Sequence, residues 1–255
     1  MHARFMLTML AALLLAAGPA LADEMVSFKA GYLMLSPEGK VAVDQLSLSD
    51  QIDLEKDLGF DDSEEYFAEA ALQFGDFRLG LAYVPLEFSG QGTLNRSINF
   101  NGQTFDAGVP TSSEVSIDLL DAGLTWYLVN VDDLPVRVQV GPEVSVKWVQ
   151  AEATLKGEVG GVSTTETESV DVPVPTIGAR VRIGLADFVS VSGRVGYLEY
   201  DDNSFLDADA QVELSPLPLV GIFGGYRYLE LDVDDSGVFV DATFSGPYVG
   251  AFVRF

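Results

Sequence analysis

The side chains able to do chemistry in this chain are almost all charges. There is one histidine, His2, and no cysteine. A Ser-His-Asp centre therefore has no base beyond residue 2, and imidazole or thiolate zinc sites lack ligands. Paired carboxylates such as Asp201-Asp202 and Asp234-Asp235 are ordinary loop pairs. Two other groupings are more informative. Lys29, Arg78, Arg137, Lys147, Arg180, Arg182, Arg194, Arg227 and Arg254 each alternate with apolar neighbours, as do Glu69, Asp121, Glu143, Asp207, Asp209 and Glu213. Turned to one side of a closed sheet, such charges form either a polar core neutralised by pairing or a constriction that selects permeating ions. Arg78, Arg137, Arg182 and Arg254 fall near equivalent strand ends and are expected in one layer near Glu213. The second grouping is acidic: Asp44 to Glu65 holds nine carboxylates against Lys56 alone. It lacks the spacing of an EF-hand and reads as a solvated loop. Asp53, Glu55, Asp57, Asp61 and Asp62 are its candidate oxygen ligands for Ca²⁺ or Mg²⁺. No cofactor is expected.

The elements that must position these charges are strands. Side chains alternate between two faces with period two, and that period recurs through the chain. It runs over Val26–Leu35, Tyr66–Phe74, Phe77–Tyr83, Glu114–Leu128, Val136–Trp148, Ile177–Leu185, Val189–Tyr197, Leu206–Leu214, Val220–Tyr228 and the final stretch to Phe255. Pro37 is expected to end the first strand. A parity change at Leu119–Leu120 predicts a β-bulge. Short turns near 75–76, 129–135, 186–187 and 215–218 alternate with longer connections, the longest near 37–64, 89–113 and 151–173. Asn101-Gly102 marks a hairpin within the second of these. Ten strands are expected, the alternative being eight with one hairpin outside. Phe74, Phe77, Trp126 and Phe255 would ring one end of the strands. Tyr32, Tyr66, Tyr83, Trp148, Tyr197 and Tyr228 would ring the other, as amphipathic rings do at two interfaces. Inside, Gly31, Gly80, Gly221 and Gly225 leave room while Phe67, Phe223 and Phe252 take it, so the width of the lumen stays open.

Residues 1–22 read as a cleaved signal peptide, with Arg4, an apolar run and Ala20-Leu21-Ala22 as the cleavage site. Residues 23–255 then form one domain. Without cysteine, a lipid-anchored lipoprotein and disulfides are excluded. No later apolar run is long enough for a membrane helix. A net charge of −25 argues against a nucleic-acid partner, while 48% hydrophobic residues argue against disorder. The fold class these readings select is all-β, a transmembrane antiparallel up-and-down barrel.

The Ala-Leu-Ala22 signal, Gly225-Tyr-Arg-Tyr228 and the Val253-Arg-Phe255 terminus resemble the small bacterial outer-membrane β-barrel superfamily, which includes the OmpA transmembrane domain and OmpW-like proteins. The resemblance implies location in a Gram-negative outer membrane. Its partners would be outer-membrane lipids and lipopolysaccharide, with barrel-assembly machinery and periplasmic chaperones reading Phe255 and Val253 during biogenesis. Barrel enzymes of the lipase, deacylase, palmitoyltransferase and omptin kinds resemble one another in using an active-site histidine. This chain has none beyond His2, so no enzymatic activity is expected. Ten strands lie between filled eight-stranded barrels and wide porins, which implies a narrow porin-like channel for ions or small solutes. The alternative is a non-conducting structural or surface-interaction barrel with acidic external loops that offer ligands to divalent cations.

Overall fold

The computed structural model describes residues 25–43, 52–94, 97–100, 103–131, 136–159, 162–201, 203–217, 219–235 and 238–255. The expected signal peptide and the Asn101-Gly102 turn lie outside the described residues. Fourteen strands occur among them: β1 (Val26–Val43), β2 (Ile52–Asp53), β3 (Ser63–Phe74), β4 (Phe77–Thr93), β5 (Ile98–Phe100), β6 (Gln103–Phe105), β7 (Pro110–Trp126), β8 (Val129–Val131), β9 (Arg137–Val159), β10 (Val162–Ala186), β11 (Val189–Tyr200), β12 (Asn203–Leu214), β13 (Val220–Asp235) and β14 (Val238–Arg254).

The long strands pair antiparallel in chain order, from β1 with β3 through β13 with β14. The ring closes where β14 returns to β1, Ala30 opposite Ala251 and Lys29 opposite Phe252. Ten strands therefore form a closed barrel. The eight-stranded alternative does not hold: the extra hairpin, β5 with β6, is a separate two-stranded sheet beyond the ten. Closure pairs the strands on both flanks through the turn-end half of the barrel, the condition for crossing a bilayer as a sheet.

Three sequence expectations are corrected. Pro37 does not end β1, which continues to Val43 against β14. It lies just past the last β1–β3 pair, Leu35 with Ser63, an edge position where a proline is tolerated. Residues 151–159 and 162–173 are not a loop, because β9 and β10 stay paired from Gly184 opposite Arg137 out to Val162 opposite Val159. These strands run 23 and 25 residues, against the roughly 9–11 that a tilted strand needs to span a bilayer. Finally, no bulge interrupts Leu119–Leu120. The register is continuous, Leu119 opposite Val84 and Leu120 opposite Tyr83.

The parity change has another cause. In the half of the barrel near the short turns, outward residues are apolar and exposed (Leu79, Leu81, Leu120, Leu124, Val144, Ile222), forming a belt. In the half near the long loops the two faces exchange character. There Glu87, Glu114, Ser116 and Asp118 point out, while Leu33, Leu35, Val84, Leu86, Phe88 and Leu119 are buried inside. The belt thus suits a lipid surround, and the part beyond it, here termed the head, has an ordinary apolar core suited to water outside. Tyrosines mark the border. Tyr32 donates to Glu64 at 2.8 Å, Tyr197 to Glu199 at 2.9 Å and Tyr228 to Glu230 at 2.7 Å, and Tyr83 donates to Asp118. Each ring lies on the belt side and hands its hydroxyl to a carboxylate on the head side, as an interfacial ring does.

Candidate functional site: a closed lumen

Four groups of side chains, here termed tiers, fill the barrel: the first lies at the turn end and the fourth at the loop end, while the second and third stand side by side between them, Phe223 being opposite Glu213 and turn-ward of Arg227 on β13. The first is centred on Glu213 of β12. Lys29 of β1 approaches it at 2.8 Å and Arg182 of β10 at 3.2 Å, and Arg254 of β14 pairs with it as well. Ser190 donates to the same carboxylate at 3.0 Å. Arg254 also lies 4.0 Å over the ring of Phe252, a cation–π contact that fixes the guanidinium plane.

The second tier is a charge lattice across the barrel. Lys147 of β9 sits between Asp121 of β7 at 2.6 Å and Asp207 of β12 at 2.7 Å, and its side chain is 1% exposed. Arg194 of β11 reaches the same two carboxylates at 2.5 and 2.9 Å, and Arg227 of β13 reaches Asp207 at 3.1 Å. Arg180 pairs with Glu143 at 2.5 Å, and Thr125 donates to that carboxylate at 2.6 Å. Arg78 pairs with Glu69 at 2.5 Å. Buried charges are tolerable only when paired, and each charge of this tier has an opposite partner on another strand, although Asp121 Oδ1, Asp207 Oδ1 and Arg227 Nε accept or donate no hydrogen bond among the described residues.

The third tier is aromatic. Phe67, Phe223 and Tyr248 meet edge to face with centroids 5.6–6.1 Å apart, and Tyr248 donates to Asp209 at 2.5 Å. The lumen glycines Gly31, Gly221 and Gly225 do not leave room after all, because each lies beneath an aromatic ring, and Gly80 lies beneath the Arg78 guanidinium. A Cβ on Gly31 would come 2.6 Å from Phe67, and one on Gly225, Gly221 or Gly250 would overlap Tyr248, Phe252 or Phe223.

The fourth tier is the apolar head core, closed from above by the acidic loop. Ile52, Leu54, Leu58 and Phe60 point inward and are buried. Leu54 N donates to Gly39 O at 3.1 Å, Asp61 N to Ser89 O at 3.0 Å, and Phe60 bridges to Gly90. Phe60 meets Phe88 at 6.4 Å, and Phe88 stacks on Phe244 at 5.0 Å. From the other side Phe105 of β6 is buried above Gly157. Residues 52–60 of the segment expected to be a solvated loop therefore form a lid, with apolar residues down and carboxylates up, while residues 44–51 lie outside the described residues.

The candidate site residues are dispersed accordingly. Arg182 and Arg254 share Glu213, and Arg137 joins them in lining a cavity at the turn end. Arg78 pairs with Glu69 and lines a second cavity together with Arg182, Arg254 and Glu213 but without Arg137. Among the candidate metal ligands, Asp53 accepts from Lys56 N at 2.9 Å and from Lys56 Nζ at 3.0 Å, and Asp57 accepts from Asp53 N at 3.0 Å. Asp61 and Asp62 lie exposed at the end of the lid. Among the described residues no three such side chains converge as a metal site would require. The Lys56 amide, and then its ammonium, hold the Asp53 carboxyl below its usual range, and Asp53 in turn raises Lys56. Val253 pairs with Phe28 and Val220, while Phe255 exchanges two backbone hydrogen bonds with Val26 at 2.8 and 3.0 Å. The sequence reading missed the lid and the head core. Their signal was the run Val115, Ile117, Leu119, apolar on the parity that elsewhere carries charge.

Compared with solved structures, the chain is similar to the outer membrane protease OmpT from Escherichia coli, at 9% identity and a TM-score of 0.60 over 93% of this chain and 99% of that one. The fold is that of a small outer-membrane β-barrel. The translocator domain of the autotransporter NalP from Neisseria meningitidis aligns over 100% of this chain and 96% of its own, at 12% identity and a TM-score of 0.47. Ail from Yersinia pestis aligns over 92% and 100%, at 13% identity and 0.40. No protein-family model and no curated protein matches the sequence.

Proposed function

We propose that this protein is an outer-membrane barrel that does not conduct, and that its working surface is the acidic head presented outside the cell. The observation that carries the reading is the filling of the lumen by a charge lattice and an aromatic cluster side by side, and beyond them by an apolar core and a lid. A conducting pore needs a continuous wet path, and the dry apolar core would have to open to provide one. This favours the non-conducting alternative over the narrow channel. The apolar belt would face outer-membrane lipid, the carboxylates flanking the boundary tyrosines would lie at the level of lipopolysaccharide headgroups, and the signal peptide would direct export. No hydrolytic centre is assigned, since His2 is the only histidine.

The test is single-channel recording of the refolded mature protein in a planar bilayer. Folding is verified beforehand by a heat-dependent shift in gel mobility. Silence from the folded barrel is expected. Reproducible conductance steps would overturn the reading and restore the channel.

A further inference from the structure

In the head the wall of strands is interrupted beside β10. This strand pairs with β11 only from Ile177 onward, whereas β9 accompanies it out to Val162. The hairpin of β11 and β12 turns back at Tyr200 and Asn203. β10 runs on past it, and its second flank there pairs with no strand among the described residues. From Thr167 to Pro173 every residue is exposed.

Three prolines show which backbone groups line that flank. Antiparallel ladders alternate pairs that exchange both N–H···O bonds with pairs that exchange none. Pro173 stands opposite Trp148, Pro175 opposite Val146, and Pro142 of β9 opposite Ala179. All three pairs fall in the same alternating class, and a residue without an N–H fits the class that exchanges none. The odd-numbered residues of β10 therefore turn N–H and C=O away from β9. From Ile177 onward those groups meet β11. Between Ser163 and Asp171 they line the open flank, about 26 Å of strand edge at ~3.3 Å per residue. Pro173 and Pro175 remove the donors nearest the belt.

An uncovered strand edge is a template for another extended chain, and the charge around it selects which. Residues 149–173 carry five carboxylates against Lys156 alone. Glu168 shares a face of β10 with Val170 and Val172, which are 51% and 39% exposed, and Asp171 stands on the other face. A second copy of the chain would bring like charge to like, each molecule carrying −25. We infer that the β10 edge takes up an extended polypeptide segment of another protein, with basic and apolar residues alternating along one of its faces. Main-chain bonds to Ser163, Thr165, Ser169 and Asp171 hold the segment. Its cations meet Glu168 and Asp171, and its apolar residues cover Val170 and Val172. This site rests on the reading of the head as the working surface and adds the chemistry of its partner.

The test is fluorescence anisotropy of a labelled peptide titrated with the refolded mature barrel in zwitterionic detergent at physiological salt. The peptide is as long as the edge, with lysine and valine alternating on one face and threonine on the other. Saturable binding is expected, with slowed hydrogen exchange at Ser163, Thr165, Ser169 and Asp171. A peptide with the same side chains and N-methylated amides keeps the charge but loses the donors. It should bind roughly tenfold more weakly or worse, the scale of a few lost hydrogen bonds. Thr165→Pro and Ser169→Pro remove edge donors that do not face β9. Each should leave the heat-dependent gel shift intact and weaken binding by the same order. If neither variant folds, the N-methylated peptide against the wild-type barrel decides. Absence of binding by the folded wild type would overturn the site. So would equal binding of the N-methylated peptide, unchanged affinity in a folded proline variant, or a barrel dimer joined through this edge. A barrel that is silent in the bilayer and binds no peptide overturns the edge site alone and leaves the closed lumen standing.

Discussion

Lys147 is the residue on which the interior charge lattice depends. Its ammonium bridges Asp121 and Asp207 from within a nearly dry tier. Removing one partner of a buried pair leaves an uncompensated charge, which costs about 3–5 kcal/mol. Lys147→Met should lower the stability of the barrel in lipid vesicles by that order, read as a shift in the urea midpoint. Adding Asp207→Asn should recover part of the loss, whereas additive losses would mean the bridge carries no coupling. Period-two alternation places Lys147 and Asp121 on the inward parity, where the structure has them. The alternation does not say that they meet, nor that Arg78 turns to Glu69 instead of Glu213. Partners across a barrel depend on strand tilt and stagger, which leave no mark on any single strand.

At the scale of the element, the lid over residues 52–60 links an acidic stretch to the barrel interior. Leu54, Leu58 and Phe60 anchor it, and Asp53 closes its turn through Lys56. Because the folded lid holds the Asp53 carboxyl below its usual value of 3.8, its contribution is complete above that pH and fades as pH falls through the lowered value. Hydrogen-exchange protection across residues 52–60, taken relative to the intrinsic exchange rate at each pH, should therefore fall in acid and stay flat from about pH 5 upward, one unit clear of the ordinary carboxyl range. Asp53→Asn should abolish the acid-dependent step, and an unchanged profile in that variant would assign the step elsewhere. The lid was hard to read because its carboxylates dominate its composition, and its buried residues Ile52, Leu54, Leu58 and Phe60 share a parity that Lys56 interrupts. β1 was similarly disguised, since Pro37 reads as a strand end unless the neighbour on that flank is known to be missing.

For the whole molecule, the count of strands and the closed all-β class were legible, because ten alternating stretches separated by turns have few other solutions. The lengths of the strands were not. Outside the belt the rule reverses to polar outward and apolar inward, so β9 and β10 continue through residues that look like a hydrophilic loop. In a bilayer that reversal would divide the barrel between two solvents, and its thermodynamics would divide with it. Opening the head would expose Leu33, Phe88 and Phe60 to water, with the positive heat-capacity change that hydration of apolar surface brings. The belt is surrounded by hydrocarbon whether or not the head is open, and contributes no such term while it stays in the bilayer. Scanning calorimetry in vesicles should accordingly resolve a first transition with a heat-capacity step, sensitive to Phe60→Ala, below the temperature at which the belt disassembles. A single transition unmoved by that substitution would mean that the two halves melt as one.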